Sequence, residues 1–455
     1  MRNITYEGPS TPLSEELDAM KYRQKGETFD GKVKRLARSL CDGTEHQWIL
    51  EDIFGNMRFL PAGRVQSAMG ADKLVTAYNC FVSGEIKDSM DSIMDRAKEA
   101  AETMRRGGGI GYDFSKVRPK GNTIKSLESQ ASGPISFMSI FDAVCQTISS
   151  SGHRRGAQMG VLRIDHPDIV DFITAKRNSD KLTGFNISLG ITDKFMEALS
   201  KEDDSFDLIF EGIVHETVSA NEIWNLAMES TWDWAEPGVL FIDRIKEMNN
   251  LYYCEDISAT NPCGEQPLPP YGACLLGSFN LTKYLIGDTG NYTFNFEQFK
   301  EDIPHVVRAQ DNVVDRTIYP LREQEDEAKN KRRMGLGITG LANAGEMLGF
   351  EYGSKPFLRW MEKVFACLRD NTYYASAKLA EEKGAFPLYR EEYLKGNFIR
   401  TLPSFVQKEI RKHGIRNSHL TSIAPTGTIS LVADNVSGGI EPVFSHSYQR
   451  TIQTF

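Results

Sequence analysis

The stretch Asn261-Pro262-Cys263-Gly264-Glu265-Gln266-Pro267-Leu268-Pro269-Pro270-Tyr271-Gly272-Ala273-Cys274 decides how the rest of the chain is read. Pro262 pushes Asn261 into an extended conformation, because the proline ring crowds the helical region of the residue before it. Pro267, Pro269 and Pro270 exclude helix from the second half of the stretch. Cys263 therefore sits on a stiff irregular loop, with an amide two residues before it and a carboxylate two residues after. In an extended chain residues i and i+2 point the same way. Asn261, Cys263 and Glu265 are thus expected to present an amide, a sulfur and a base to one ligand. The alternative is a proline-rich surface loop around a packed thiol, the commoner fate of an unpaired cysteine.

Around this loop, short apolar runs alternate with helical patterns. The strand-like runs are Gly109 to Phe114, Gln158 to Ile164, Gly184 to Leu189, Val239 to Ile242, Ala273 to Asn280 and Ile429 to Val432. From Ser89 to Arg105, Met90, Ile93, Met94, Ala97, Ala101 and Met104 form one helical stripe, with Asp88 at the N-cap position. A long helix is expected from Pro356 to Lys383, preceded by Ser354 and stopped by Gly384. Ser14 can cap an early helix, and another runs from about Gly31 to Leu40. Alternation of this kind argues for an α/β fold. With no Pro/Gly/Ser-rich linker, residues 58–455 read as one catalytic domain behind a helical region, residues 1–57. A barrel of parallel strands would place its chemistry on loops at strand ends or in its centre.

Composition excludes several classes of function. The net charge of −9 argues against binding to DNA through its backbone, which needs a basic surface. No apolar run is long enough to span a membrane, and the first residues lack a signal-peptide core. Seven cysteines, an odd number in a long chain, do not read as a secreted disulfide framework. A reducing cytoplasm is expected, or a host cell's cytoplasm for a viral chain. None of the cysteines has Cys-x-x-Cys spacing, and His215-Glu216 lacks a second histidine four residues on, so no metal site is expected.

The cysteine loop resembles the finger loop of ribonucleotide reductase catalytic subunits, in wording close to the adenosylcobalamin-dependent class. Asn-Pro-Cys-Gly-Glu-Gln-Pro-Leu is followed by Gly-Ala-Cys-Leu-Leu-Gly-Ser. Further likenesses, in order, are Phe59 to Arg64, Asn79 to Val82, Arg106 to Gly111, Ser151 to Met159, Arg332 to Gly337 and Ala424 to Ser430. The resemblance implies a ten-stranded α/β barrel of the ribonucleotide reductase/glycyl-radical type with a central finger loop. It implies reduction of ribonucleotides to 2′-deoxyribonucleotides by a thiyl radical. Cys263 would carry that radical, Glu265 would accept the 3′-hydroxyl proton, and Asn261 would orient the sugar. Cys80 and Cys274 would supply two electrons and end as a disulfide, reduced in turn by a thioredoxin- or glutaredoxin-type partner. Cys41, Cys145, Cys254 and Cys367 match no catalytic position and are expected to be packed thiols.

The same resemblance assigns the substrate phosphates to Pro425, Thr426, Gly427, Thr428 and Ile429, where free backbone N–H groups at a helix opening or strand end can hold anions. Asn79 and Gly109 should line the substrate pocket. Asp88, Arg118 and Arg154 would bind a dNTP or ATP specificity effector, on loops Arg118 to Ile124 and Gly152 to Met159. The opening helices are too short for the family's ATP-sensing module, so no overall on/off control is expected. The chain stops at Phe455 without the family's closing barrel elements, re-reducing cysteine pair or adjacent relay tyrosines, so the protein is either compact or longer than this sequence. Two radical sources remain open: adenosylcobalamin, or a metal-containing ferritin-like partner subunit. Di- and triphosphate substrates are both open, and a homodimer is the expected assembly.

Two rival readings differ in kind. Gly335-Leu336-Gly337-Ile338-Thr339-Gly340 fits a dinucleotide fingerprint, which would make a nicotinamide-dependent dehydrogenase. That fingerprint needs an apolar strand before it, and Glu327 to Arg333 is charged. A non-catalytic nucleotide-binding homologue is the second rival, opposed by the presence of Cys80, Asn261, Cys263, Glu265 and Cys274 together.

Overall fold

The computed structural model describes residues 6–124, 128–148, 156–177, 181–445, 447 and 449. The chain forms two compact units: Cys80–Ala273 with Pro320–Gln324, and the remainder, Met1–Asn79, Cys274–Tyr319 and Glu325–Phe455.

In the Cys80–Ala273 unit, five strands lie side by side in the order Cys80–Val82, Gly109–Asp113, Gln158–Arg163, Phe185–Ile191 and Gly238–Phe241. All neighbours are parallel. Spatial order follows chain order, so right-handed crossovers carry the connecting helices to one face of the sheet. Met90–Arg105 and Pro134–Thr147 are the first two of these helices. The strand Gly109–Asp113 shows the consequence. Ile110 and Tyr112, with Phe114 just beyond, are fully buried in the core that includes Ile93, Ala97, Met104 and Phe141. The Tyr112 ring meets Phe141 edge-on at 4.8 Å, and its hydroxyl donates to Gln158 Oε1 at 2.8 Å. Alternate residues face the other way, and there the strand carries Gly109 and Gly111.

Those glycines receive a hairpin. Ala259–Thr260 and Pro267–Leu268 pair antiparallel, with Cys263 in the loop between them. A Cβ on Gly111 would lie 1.8 Å from the Thr260 carbonyl oxygen, and one on Gly109 would lie 3.0 Å from Pro262 Cγ. The hairpin backbone therefore rests directly on the sheet backbone.

The other unit has a three-stranded sheet in the order Phe59–Pro61, Leu276–Asn280, Gly335–Thr339. The first pair is antiparallel and the second parallel. Helices Phe296–Arg316 and Lys355–Lys383 pack beside each other in this unit. Its buried ionic centre is Asp311, which accepts from Arg332 Nε at 2.8 Å, Arg416 Nε at 3.1 Å and Asn417 Nδ2 at 2.9 Å. Burial alone would lower the Arg332 pKa, but the carboxylates of Asp315 and Asp311 outweigh it and hold the guanidinium charged.

The expected elements recur with specific corrections. The long helix begins at Lys355, Ser354 accepts from the Phe357 N–H, and Gly384 ends it. The Met90–Arg105 helix is capped by Ser89 Oγ, not Asp88, because the Asp88 carboxylate is drawn to Arg118. Met90 and Met94 point outward, and Ile93, Ala97, Ala100 and Met104 form the buried stripe. Thr11, not Ser14, caps the first helix; the Ser14 hydroxyl instead donates to the Leu431 carbonyl. The Ala273-to-Asn280 run breaks at Leu275 into two strands. Ile429–Val432 is a short helix, not a strand. Gly335 to Thr339 of the glycine fingerprint form a strand behind the helix Arg322–Lys331, Gly340 caps the following helix Leu341–Met347, and a Cβ on Gly337 would lie 2.3 Å from the Ser422 carbonyl oxygen. Gly337 serves close backbone packing inside the strand, and Gly340 alone stands at the strand-to-helix junction, so the glycine-rich phosphate turn is not formed there. No helix among the described residues is long and apolar enough to cross a membrane.

Replacing Gly111 by Ala should cost about 1–3 kcal/mol, the usual range for overpacking a filled interior. Urea unfolding of the variant against wild type checks this, and the buried aromatic core on the opposite face should survive, as read by near-UV circular dichroism.

Candidate active site

The Cys263 loop is not the extended run expected. The Gly264 N–H donates to the Asn261 carbonyl at 3.0 Å, and Gly264 has φ +83°, so Asn261 to Gly264 is a tight turn. Asn261 and Gln266 close it. The Asn261 N–H donates to the Gln266 carbonyl at 3.2 Å, and the Gln266 N–H donates to Asn261 Oδ1 at 3.0 Å. Asn261 Nδ2 then donates to Glu265 Oε2 at 2.8 Å. Asn261 is fully buried, Glu265 half-buried and Cys263 exposed. The amide therefore does not share a ligand face with the sulfur by simple alternation. It lies beneath the loop and holds the carboxylate, and Nδ2 retains a second hydrogen.

Cys80 lies on the strand next to Gly109, and its Sγ would be 3.3 Å from a Cβ placed there. Pro262 Cγ reaches the same point at 3.0 Å, so the buried sulfur and the residue preceding Cys263 converge over one glycine. Gly109 is covered by these neighbours. Asn186, on the strand Phe185–Ile191, donates from Nδ2 to the Pro262 carbonyl at 2.8 Å and secures the hairpin from a second strand.

In the other unit, Cys274 is fully buried, and its carbonyl accepts from the Asn79 N–H at 3.3 Å. Asn79 Oδ1 is buried and meets no donor among the described residues, an orphaned acceptor that a ligand hydroxyl could satisfy. At the expected phosphate loop, Pro425, Gly427 and Thr428 are exposed, while Thr426 is buried with φ +54°. The Thr426 hydroxyl faces Thr339 Oγ1 at 3.0 Å and accepts from the Gly439 N–H at 3.1 Å. Of the two hydroxyls, only that of Thr428 belongs to an exposed residue. Ile429 opens the short helix and is buried.

The structure joins Asp88 to Arg118. Arg118 donates from Nε at 2.6 Å and from its backbone N–H at 3.1 Å. Asp88 borders a cavity of about 460 Å³ also lined by Lys87, Lys116, Arg163 and His166. The Arg118 segment is fixed from behind. His166 Nε2–H donates to the Val117 carbonyl at 3.0 Å, and the Lys120 N–H donates to Asp168 Oδ2 at 2.9 Å. Burial lowers the His166 pKa and raises that of Asp168. Arg154 lies outside the described residues.

Of the remaining cysteines, Cys145 is buried, and Cys41 and Cys367 are half-buried. Burial pushes the thiols of Cys145 and Cys367 up to about 11. Cys254 is exposed, against the expectation of a packed thiol. One group of metal-ligand types lies together among the described residues, Glu381, Glu409 and His413. Lys378 Nζ already bonds both carboxylates.

Sequence reasoning missed Asn186, Gly111 and Gln266 as parts of this site. The visible signals were a lone amide inside an apolar strand, and glycine alternating with bulky residues from Gly109 to Phe114.

Residues 78–454 match the family described as "Ribonucleotide reductase, barrel domain". The chain is 37% identical over 407 residues to the vitamin B12-dependent ribonucleoside-diphosphate reductase of Thermoplasma acidophilum, covering 88% of this chain and 50% of that protein. A like-named protein of Mycobacterium tuberculosis is 36% identical over 435 residues, 94% of this chain and 60% of that one. The large subunit of ribonucleoside-diphosphate reductase from monkeypox virus is 25% identical over 417 residues, 82% of this chain and 53% of the viral protein. The chain thus spans between half and three-fifths of the length of these curated relatives. On the match across residues 78–454, the chain belongs to the ribonucleotide reductase family.

Proposed function

We propose that the protein reduces ribonucleotides to 2′-deoxyribonucleotides through a thiyl radical on Cys263. The observation that carries this reading is the convergence over Gly109 of buried Cys80 with the hairpin that exposes Cys263. The names of the relatives favour ribonucleoside diphosphates as substrates.

Each residue has a place in the chemistry. The Cys263 thiyl takes the 3′-hydrogen atom, giving a thiol and a carbon radical at C3′. Glu265, held by Asn261 Nδ2, accepts the 3′-hydroxyl proton as general base. The 2′-hydroxyl leaves as water after receiving a proton from the Cys80–Cys274 dithiol. That dithiol supplies two electrons, delivers its second hydrogen to C2′ and closes to a disulfide. Glu265 then returns its proton to the 3′-oxygen, and Cys263 returns the hydrogen atom to C3′ and regains its radical. The balance is one ribonucleotide and two thiols to one deoxyribonucleotide, one water and one disulfide. A thioredoxin- or glutaredoxin-type partner reopens the disulfide by thiol exchange. The orphaned Asn79 oxygen and the exposed turn at Gly427 and Thr428 suit sugar and phosphate contacts, with Pro425, Thr426 and Ile429 shaping that turn.

Adenosylcobalamin, when bound, supplies an organic radical by homolysis of its cobalt–carbon bond. The exposure of Cys263 fits a radical delivered from outside the sheet. The B12-dependent relatives favour this source over a ferritin-like subunit. The cavity beside Asp88 is the proposed place of a dNTP or ATP effector, with Lys87 on its wall and Lys116 and Arg163 there paired to Glu85 and Asp165. Exposed Met90 and Met94, with an apolar cleft lined by Ala101, Ile140 and Val144, support a homodimer through these helices. The strands are proposed to belong to the family's ten-stranded barrel with the Cys263 hairpin as its finger loop, behind a helical region at residues 1–57.

Cys263→Ser in the full-length protein should lower turnover at least about 10³-fold, the scale of losing a group that acts as part of a unit. Nucleotide affinity should stay within twofold. Deoxyribonucleotide formation with adenosylcobalamin as sole radical source, beside equilibrium nucleotide binding, measures both. Turnover by the variant, or turnover by wild type only with a metal-containing subunit, overturns the corresponding part of the reading. Asp88→Ala should abolish the dNTP-dependent change in base preference while leaving effector-free turnover within about threefold, as checked by competing two ribonucleotides with and without effector.

A further inference from the structure

The chain between Cys263 and Cys274 makes a second turn, and its geometry is unexpected for its sequence. The Gly272 N–H donates to the Pro269 carbonyl at 2.9 Å, so Pro269, Pro270, Tyr271 and Gly272 form a β-turn. Pro270 suits its second position. The third position has φ +64°, where a type II turn calls for glycine, yet the residue is Tyr271.

The side chain explains its presence. The Tyr271 hydroxyl lies 3.4 Å from Glu99 Oε2. Its ring lies 5.7 Å from the Arg96 guanidinium carbon. Arg96 Nη2 pairs with Glu99 Oε1 at 2.6 Å, so both partners are fixed on the helix Met90–Arg105. The ring enters a notch that exists only because residue 84 is glycine. A Cβ there would lie 2.4 Å from the Tyr271 hydroxyl oxygen and 2.8 Å from Arg96 Nη1. The turn also fixes the Cys80 strand, because the Gly272 carbonyl accepts from the Val82 N–H at 2.9 Å. Three elements therefore depend on one ring: the turn leading to Cys274, the strand carrying Cys80, and the helix carrying Arg96 and Glu99.

We propose that Tyr271 is a positioning residue for the reduction, its ring locked at Gly84 beneath Arg96 so that the turn between the Cys263 hairpin and Cys274 holds one course. This inference rests on the proposed reductase activity and adds to it a residue that acts through the turn it anchors. Glycine fits the backbone better than tyrosine at this position, so Tyr271→Gly relieves the turn and removes only the tether.

The test compares full-length wild type, Tyr271→Gly, Tyr271→Phe and Gly84→Ala. In Tyr271→Gly, kcat should fall at least tenfold with KM for the nucleotide within twofold. Hydrogen exchange at the Val82 amide should accelerate at least tenfold. Tyr271→Phe keeps the ring in the notch and should restore kcat to within threefold of wild type. Gly84→Ala expels the ring from the opposite side and should reproduce the Tyr271→Gly result, which keeps the test open if either variant folds poorly. Wild-type kcat in Tyr271→Gly, or a kcat loss with unchanged Val82 exchange, overturns the inference while leaving the reductase reading intact. A wild-type protein that reduces no ribonucleotide, though it folds, overturns the reading itself and this inference with it.

Discussion

A backbone-to-backbone contact, Thr260 against Gly111, governs the architecture around Cys263. Only glycine at the point of crossing lets a hairpin lie that close, since a methyl at Gly111 would meet the Thr260 oxygen at 1.8 Å. The same strand must still bury a core on its other face. Its alternation of Gly109 and Gly111 with Ile110 and Tyr112 satisfies both demands within five residues. Parallel strands in chain order put the helices on the aromatic side and leave the glycine side for the hairpin. The position of Cys263 is thus set by rigid elements, the condition for holding a reacting group to within a fraction of an ångström.

The three sulfurs differ in exposure. Cys263 is exposed at the loop, whereas Cys80 and Cys274 are buried. Asn261 links the loop to the Glu265 carboxylate. Its backbone and side-chain oxygen close the turn with Gln266, and its amide nitrogen holds Glu265. The carboxylate is thereby oriented by the group that shapes the loop around Cys263.

Much of this was legible in the sequence, and the failures share a cause. Proline and glycine positions fixed the irregular loop, and the helices near Met90 and Lys355 were visible from their periodicity. Local signals misled where tertiary partners compete for a side chain. Asp88 is as good a cap as Ser89 in sequence, but Arg118 claims its carboxylate. Ser14 bonds the Leu431 carbonyl, more than 400 residues away, and leaves the capping to Thr11. The mostly apolar run Ile429 to Val432 reads as a strand, yet the Thr426 and Thr428 carbonyls accept helical hydrogen bonds from it. The side-by-side reading of Asn261, Cys263 and Glu265 assumed an extended chain, and Gly264 at φ +83° turns it instead. The lone amide of Asn186 stood out in its apolar strand, but nothing local marks the Pro262 carbonyl it meets.

The proposed reduction needs a division of labour among cysteines, and that division can be read directly. Reduced full-length protein is given substrate, effector and radical source but no external reductant, then quenched, alkylated and mapped by mass spectrometry. One disulfide is expected for each deoxyribonucleotide formed, linking Cys80 to Cys274, with Cys263 recovered as an alkylated thiol. Recovery of Cys263 within a disulfide, or deoxyribonucleotide formed with Cys80 and Cys274 both still reduced, would contradict that division.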